Sequence, residues 1–317
     1  MGAFLLKRLF QSAILLVLVT MIAFGLMRLA PGGPESVYAV GTNMKAEDLA
    51  RLRKSFGLDR PIHVQYVKWT TGMLTGDWGR SYRDRRQVTH VIFDRVPATL
   101  ELTITALAIA VIVGVTIGVL GAIKQYSLAD YAATVGAMIA LSVPTFWFGL
   151  MVIYLAAERL GWIPSGGRQT LGEPFSLADR LHHLVAPAGV LGLVLVATWS
   201  RYTRAAMLET IGQDFVRVAR SKGLSERRVI IGHALRNALV PLVTLAGIQL
   251  PLLFGGALVT ESVFTWPGMG RLFVDSLSYR DYPVMMGVLF ITAVLVIVFN
   301  LLADLVAASL DPRIRLR

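Results

Sequence analysis

The chain contains no cysteine. Disulfides, thiolate metal sites, iron–sulfur ligation and cysteine nucleophiles are therefore excluded. Charge is scarce too: Asp, Glu, Lys and Arg make up 16% of 317 residues, against about 25% in an average soluble chain. Catalytic signatures are also missing, with no Walker A pattern, no HExxH and no GxSxG. His182 and His183 are adjacent, so on a helix they point to different faces, and no metal site is expected from them. There is no internal repeat and no low-complexity linker.

Apolar sequence fills the gap. Hydrophobic residues are 55% of the chain and the mean hydropathy is +0.62. A spanning helix needs about 20 mostly apolar residues, because each rises about 1.5 Å through a hydrocarbon core about 30 Å thick. Six stretches qualify: 9–27, 98–123, 131–157, 184–200, 237–260 and 283–306. The first follows Lys7 and Arg8 but exceeds the about 7–15 residues of a signal h-region, so it is read as a retained first helix. The net charge of +11 would suggest nucleic acid in a soluble protein. Here the cations lie between apolar runs, as in inner loops that meet anionic lipid, and no nucleic acid partner is expected.

The short loops set the orientation. The segment 201–236 carries eight arginines and lysines, the tail carries Arg313, Arg315 and Arg317, and the start carries Lys7 and Arg8. With six spans all three fall on one side, the cytoplasm. The basic segment 31–97 falls outside, as long segments translocate largely regardless of charge. It holds enough apolar residues for a small folded cap, with helices expected over 45–56, stopped by Gly57, and over 61–74, begun by Pro61. Within the spans, Pro144, Pro187, Pro241 and Pro251 each remove a backbone donor, and Gly114 with Gly118 makes a small face for close helix contact.

The loop after the fourth span holds the most information. Asp214 suits a helix start and Arg220 with Lys222 suits its end. Gly223 can take the left-handed conformation that stops the helix, and Ser225 can begin the next. The result is a helix of about two turns with Phe215, Val218 and Ala219 sharing one side at i, i+3, i+4 spacing. Such a helix suits either a peg for a partner's groove or an interfacial helix on lipid, with arginines on phosphates.

The stretch Phe215-Val-Arg-Val-Ala-Arg-Ser-Lys-Gly223, followed by His233-Ala-Leu-Arg-Asn-Ala-Leu-Val-Pro241, resembles the EAA loop of binding-protein-dependent ABC importer permeases. It is most similar to the version in the dipeptide, oligopeptide and nickel permease family, and it departs from the general form at Arg217, Val218 and the later Pro241. The resemblance extends over nearly the whole chain. It includes Leu58-Asp-Arg-Pro61, Gly76-Asp-Trp-Gly-Arg-Ser81, Pro97-Ala-Thr-Leu-Glu-Leu102, Glu261-Ser-Val-Phe264, Pro267-Gly-Met-Gly-Arg-Leu272, Arg280-Asp-Tyr-Pro283 and Asp311-Pro-Arg313. At Pro31-Gly-Gly-Pro34 the family usually has Asp in place of Gly33.

The resemblance implies an all-α integral inner-membrane protein of about six transmembrane helices, both termini cytoplasmic. Residues 1–30 form the first helix, 31–97 a small helical extracytoplasmic segment, 98–310 the transmembrane core with its coupling loop at 201–236, and 311–317 a cytoplasmic tail. It implies a second, similar permease, two cytoplasmic ATPase domains, a soluble binding protein outside, and no catalysis in this chain. No cofactor is expected here; ATP and Mg would sit on the partner ATPases. Asp214, Phe215, Arg217, Val218, Ala219, Arg220, Lys222 and Gly223 would couple those ATPases to the spans. Glu101, Pro144 and Gln249 are candidates for the solute path, with Asn300 and Asp304 as weaker ones. Trp266, Pro267, Gly268 and Arg271 would form an outer gate or touch the binding protein, or make a tight turn with an interfacial tryptophan. Peptide is the first choice of solute, with glutathione, opines, oligosaccharides and nickel as alternatives. A stand-alone secondary transporter or channel would need paired mid-membrane charges or inverted repeats, a sensor a cytoplasmic output domain, and a membrane enzyme a catalytic constellation. None is visible.

Overall fold

The structure is a computed structural model and describes residues 2–29, 33, 46–254 and 257–310. Pro31, Gly32, Pro34, Lys45 and the 311–317 tail, including Asp311-Pro-Arg313, lie outside the described residues. Among those described, the architecture is helical throughout, with an isolated antiparallel bridge between Arg80 and Gln87.

Helix α1 (Gly2–Leu29) is followed by the short helices α2 (Ala46–Ser55) and α3 (Ile62–Thr75). Both stops are glycines in the left-handed region, Gly57 at φ +68° and Gly76 at φ +85°, where a Cβ is unfavourable. Pro61 stands at the N-cap of α3, as expected. Helix α4 (Val88–Phe93) leads into α5 (96–123), which has a wide π turn at Ala110–Gly114. Then come α6 (Leu128–Ser142), α7 (Thr145–Arg159) and the long α8 (Leu177–Ile211).

Among the described residues, five helical stretches are long and apolar enough to cross a membrane, or six if α6 and α7 count as one broken span. That pair covers the expected span 131–157. It bends by 99° at Val143–Pro144. Pro144 has no N–H to offer and forces the residue before it out of the helical region, and Val143 accordingly sits at φ −79°, ψ 125°. Pro187 and Pro241, by contrast, lie within uninterrupted helices.

Spans α5 and α8 run side by side in the same direction. Arg180 bonds Glu101 near one end, and Gly121 approaches Arg204 near the other. In a membrane there is little hydrophobic drive between helices, so close backbone approach matters more. A Cβ on Gly114 would stand 2.8 Å from that of Trp199, and one on Gly118 would stand 2.5 Å from that of Thr203. The small face expected at Gly114 and Gly118 is thus where α5 meets α8.

The remaining elements are α9 (Asp214–Ser221), α10 (226–254), α11 (Leu258–Val263), α12 (Met269–Ser278) and α13 (Tyr282–Leu310). Of the expected fifth span 237–260, α10 carries 237–254, while 258–260 fall in the short helix α11, which is not among the spanning stretches. Helix α13 runs antiparallel to α1: Asp304 pairs with Arg8 at 2.9 Å, and Arg28 lies over the Tyr282 ring. Near its start, Gly287 packs against Val88 and Ile92 of α4. The starts of α5, α8 and α13 therefore share one end of the bundle. Their far ends, the start of α1 and all of α9 share the other. Asp281 staples residues 81–83 to the first of these ends, taking hydrogen bonds from Ser81 Oγ (2.5 Å), the Tyr82 N–H (3.0 Å) and the Arg83 N–H (3.3 Å).

Candidate functional site

Helix α9 is two turns long because its ends are closed. Gln213, and not Asp214, takes the N-cap position, which leaves Asp214 in the first turn. Its carboxylate there suits the positive end of the helix dipole and pairs with Arg217 at 3.4 Å, though both side chains are largely exposed. At the other end Gly223 adopts φ +75° with nothing within 4 Å of an added Cβ. Glycine is needed there for backbone conformation and not for space. Arg220 reaches over this turn to Glu226 at 2.8 Å, and Ser225 precedes the next helix as its N-cap.

Two opposite faces result. Val216 and Ala219 are buried, packing with Met207 of α8, Ala122 of α5 and Val229, Ile230, Ala234 and Ala238 of α10. Phe215 and Val218 point away and remain 43% and 51% exposed. The expected stripe of Phe215, Val218 and Ala219 is thus split: Ala219 belongs to the anchored face with Val216. A helix with one face fixed to three spans and an apolar pair held out between Asp214, Arg217 and Lys222 can pass a push from a partner into the bundle. Nearby, Asp130 is 3% exposed and receives Arg204 through two hydrogen bonds of 2.6 and 2.8 Å, tying α6 to α8.

At the opposite end the tip 264–271 closes around a buried acid. Glu261 is fully buried; Thr99 Oγ1 donates to it at 2.9 Å and the Arg271 N–H at 3.0 Å. Glu261 lies outside the spanning helices, and burial pushes its carboxyl above the ordinary range, opposed by these donors and the Gly270 N–H. Gly268 abuts the carboxyl group so closely that a Cβ would collide with it. Trp266 is completely buried, and its Nε1 donates to the Ala98 carbonyl at 2.8 Å. It is an interior anchor, in contrast to the interfacial side chain of the tight-turn alternative. Pro267 follows it in the tip, and Arg271 bonds the Thr265 carbonyl. Sequence spacing does not single out Glu261 as a buried acid. The usable signal was an acid within the largely apolar stretch 257–264, followed by Gly268 and Gly270, which leave room for it.

The three path candidates occupy separate settings. Glu101 is held by Arg168 at 2.5 Å and Arg180 at 3.2 Å. Gln249 accepts a hydrogen bond from Trp199 Nε1 at 2.7 Å. Pro144 forms the α6–α7 bend, beside an open apolar cleft that includes Met138, Phe146 and Trp147. Asn300 is exposed, and Asp304 is the partner of Arg8. His182 bonds the Trp162 carbonyl and His183 the Gly166 carbonyl. Among the described residues no His, Asp or Glu cluster is arranged to hold a metal.

Comparison with known proteins gives a consistent result. The family described as "Binding-protein-dependent transport system inner membrane component" matches residues 114–316, and the model for the N-terminal part of such components matches residues 1–103. The oligopeptide transport system permease protein AppB of Bacillus subtilis is 42% identical over 315 residues, covering 99% of each chain. The dipeptide transport system permease protein DppB of Escherichia coli K12 is 38% identical, covering 98% of each. Among solved structures, the MetNI methionine ABC transporter in inward-facing conformations matches with a TM-score of 0.56 at 19% identity, over 70% of this chain and 97% of that one. An amino acid ABC transporter matches with a TM-score of 0.54 at 18% identity, over 70% and 94%. These two likenesses concern the fold alone.

Proposed function

The chain belongs to the family of binding-protein-dependent transport system inner membrane components, and on that premise we propose that it is the peptide-passing permease subunit of an ATP-driven importer. The names of relatives 42% and 38% identical over almost the full chain support peptide as the solute. In this reading a second, similar permease completes the pathway, two ATPase domains bind ATP and Mg on the cytoplasmic side, and a soluble binding protein delivers solute outside. This chain performs no chemistry.

One observation carries the reading. Helix α9 is fastened to α5, α8 and α10 through Val216 and Ala219 while offering Phe215 and Val218 outward. Asp214, Arg217, Arg220 and Lys222 would orient it in an ATPase groove. Closure of the ATPase pair would then move the spans, because only an element with different contacts in the two states can bias the equilibrium between them. The tip 264–271, at the far end, is assigned to the outer gate, with Trp266 and Gly268 as its fixed part and Arg271 nearer solvent. Glu101, Pro144 and Gln249 stay assigned to the path wall, and the bend at Pro144 fits a helix that must change shape.

The test is co-purification from native membranes in mild detergent, followed by reconstitution. The wild-type chain is expected to bring down a second permease and ATPase subunits. Gly223→Val strains a left-handed position without a steric clash, so it should assemble and permit ATP hydrolysis while lowering uptake by about 5- to 150-fold, the range that 1–3 kcal/mol of coupling spans. A chain that comes down alone, or normal uptake by the variant, would overturn the assignment.

A further inference from the structure

At the end of the bundle remote from α9, helices α1 and α3, the turn around Trp78 and the start of α13 enclose a cavity of about 300 Å³. Its wall is aromatic, with Phe24, Trp69 and Trp78. Its described cations are Arg28, Arg60, Lys68 and Arg80, against Asp77 as the one described acid. Asp77 is turned toward its own loop, accepting from the Gly79 N–H at 3.1 Å. Arg28 is fixed over the Phe24 and Tyr282 rings, each at 5.1 Å. The side chains of Arg60, Lys68 and Arg80 are exposed, and none is paired with a carboxylate among the described residues.

Two polar atoms of this wall, Trp69 Nε1 and Gln65 Oε1, are buried without a hydrogen-bond partner among the described residues. Gln65 is held in place by its other end, where Nε2 donates to the Arg60 carbonyl at 2.6 Å. A buried N–H left unpaired is costly. One in a cavity with three cations that have no carboxylate partner among the described residues calls for an anionic oxygen, and the neighbouring acceptor calls for a hydroxyl. The surroundings narrow the class further. Tryptophan and tyrosine collect at the level of lipid headgroups, and α1 is barely covered by the rest of the chain. On the side of α1 that carries Phe24 and Arg28, and nearer the membrane centre, Ile14, Val17 and Met21 are 47%, 49% and 54% exposed, giving an apolar flank that leads from the cavity into the membrane.

We propose that this cavity is a binding site for an anionic phospholipid with a hydroxyl-bearing headgroup, of the phosphatidylglycerol type. The phosphate lies among Arg60, Lys68, Arg80 and Trp69 Nε1. A headgroup hydroxyl donates to Gln65 Oε1, and the acyl chains follow the exposed flank of α1. The site requires only that the chain spans a membrane, so it does not depend on which solute is carried.

Native mass spectrometry of the purified assembly, titrated with phosphatidylglycerol or phosphatidylcholine, tests this. Wild type should prefer phosphatidylglycerol by at least about tenfold, since each nearby cation adds to the attraction. The triple variant Arg60→Gln, Lys68→Gln, Arg80→Gln should lose the preference. Removing three cations at the other end (Lys124→Gln, Arg227→Gln, Arg228→Gln) should not. Trp69→Phe leaves the charge unchanged and should still weaken phosphatidylglycerol binding several-fold; it also keeps the test open if the triple variant does not fold. Equal binding of the two lipids would overturn the proposal, as would equal loss in the two triple variants. Displacement of the lipid by inorganic phosphate alone would mean a free-anion site, and would overturn it as well.

Discussion

Glu261 shows what one residue can fix. A carboxyl group with no exposed surface would normally be destabilising, yet this one is enclosed by Thr99, the Arg271 N–H and a glycine at 268 whose missing Cβ makes room for it. Because its folded-state affinity for a proton is raised, its contribution to stability is complete below the ordinary carboxyl range. That contribution is lost as pH rises through the higher folded value. The thermal unfolding midpoint of the wild-type chain in detergent should therefore fall as pH is raised across that interval. Glu261→Gln should flatten the dependence and lower stability by about 1–3 kcal/mol, the cost of leaving buried donors mispaired. A variant whose pH profile runs parallel to wild type would show that Glu261 does not titrate in this range. Sequence alone could locate this acid but not bury it, because Thr99, and the Ala98 carbonyl that anchors Trp266 of the tip, come from a distant part of the chain.

At the scale of the element, α9 separates anchoring from presentation. Val216 sits in a fully packed cluster, so Val216→Ala should cost about 1.5–3 kcal/mol of stability. Phe215 is exposed, so Phe215→Ala should leave the thermal midpoint of the isolated chain within about 0.5 kcal/mol of wild type and reduce the yield of co-purified ATPase. Equal loss of stability in both variants would erase the distinction between the two faces. The ends of this helix were legible in the sequence, because a glycine after basic residues and an acid in the first turn are local signals. Its buried side was not. Spacing grouped Ala219 with Phe215 and Val218, and only the position of Met207 and Ala122 decides that Val216 and Ala219 turn inward. Pro144 makes the same point in the other direction. Proline is a local signal, but Pro187 continues its helix and Pro144 ends one.

For the whole molecule, the arrangement of ends matters most. The start of α1, α9 and the far ends of α5, α8 and α13 share one end, while α3, the Asp281 staple and the Glu261 tip share the other. The chain has no cysteine, so single cysteines can report sidedness directly. Thr75→Cys, exposed at the end of α3, should react with a membrane-impermeant thiol reagent in spheroplasts. Ser221→Cys, exposed at the end of α9, should react only after permeabilisation. The reverse pattern would invert the proposed orientation. The sequence by itself determined the number and approximate place of the apolar stretches, the cationic bias of the α9 side and the short helix between two bends, because hydropathy, charge and glycine conformation act over a few neighbouring residues. Only the tertiary structure decided that one stretch bends by as much as 99°, that α5 and α8 run parallel, that Glu261 is enclosed and that an aromatic cavity with a cationic rim opens beside α1. Each of these depends on which distant segments come within a few ångströms of each other, and no local pattern encodes that.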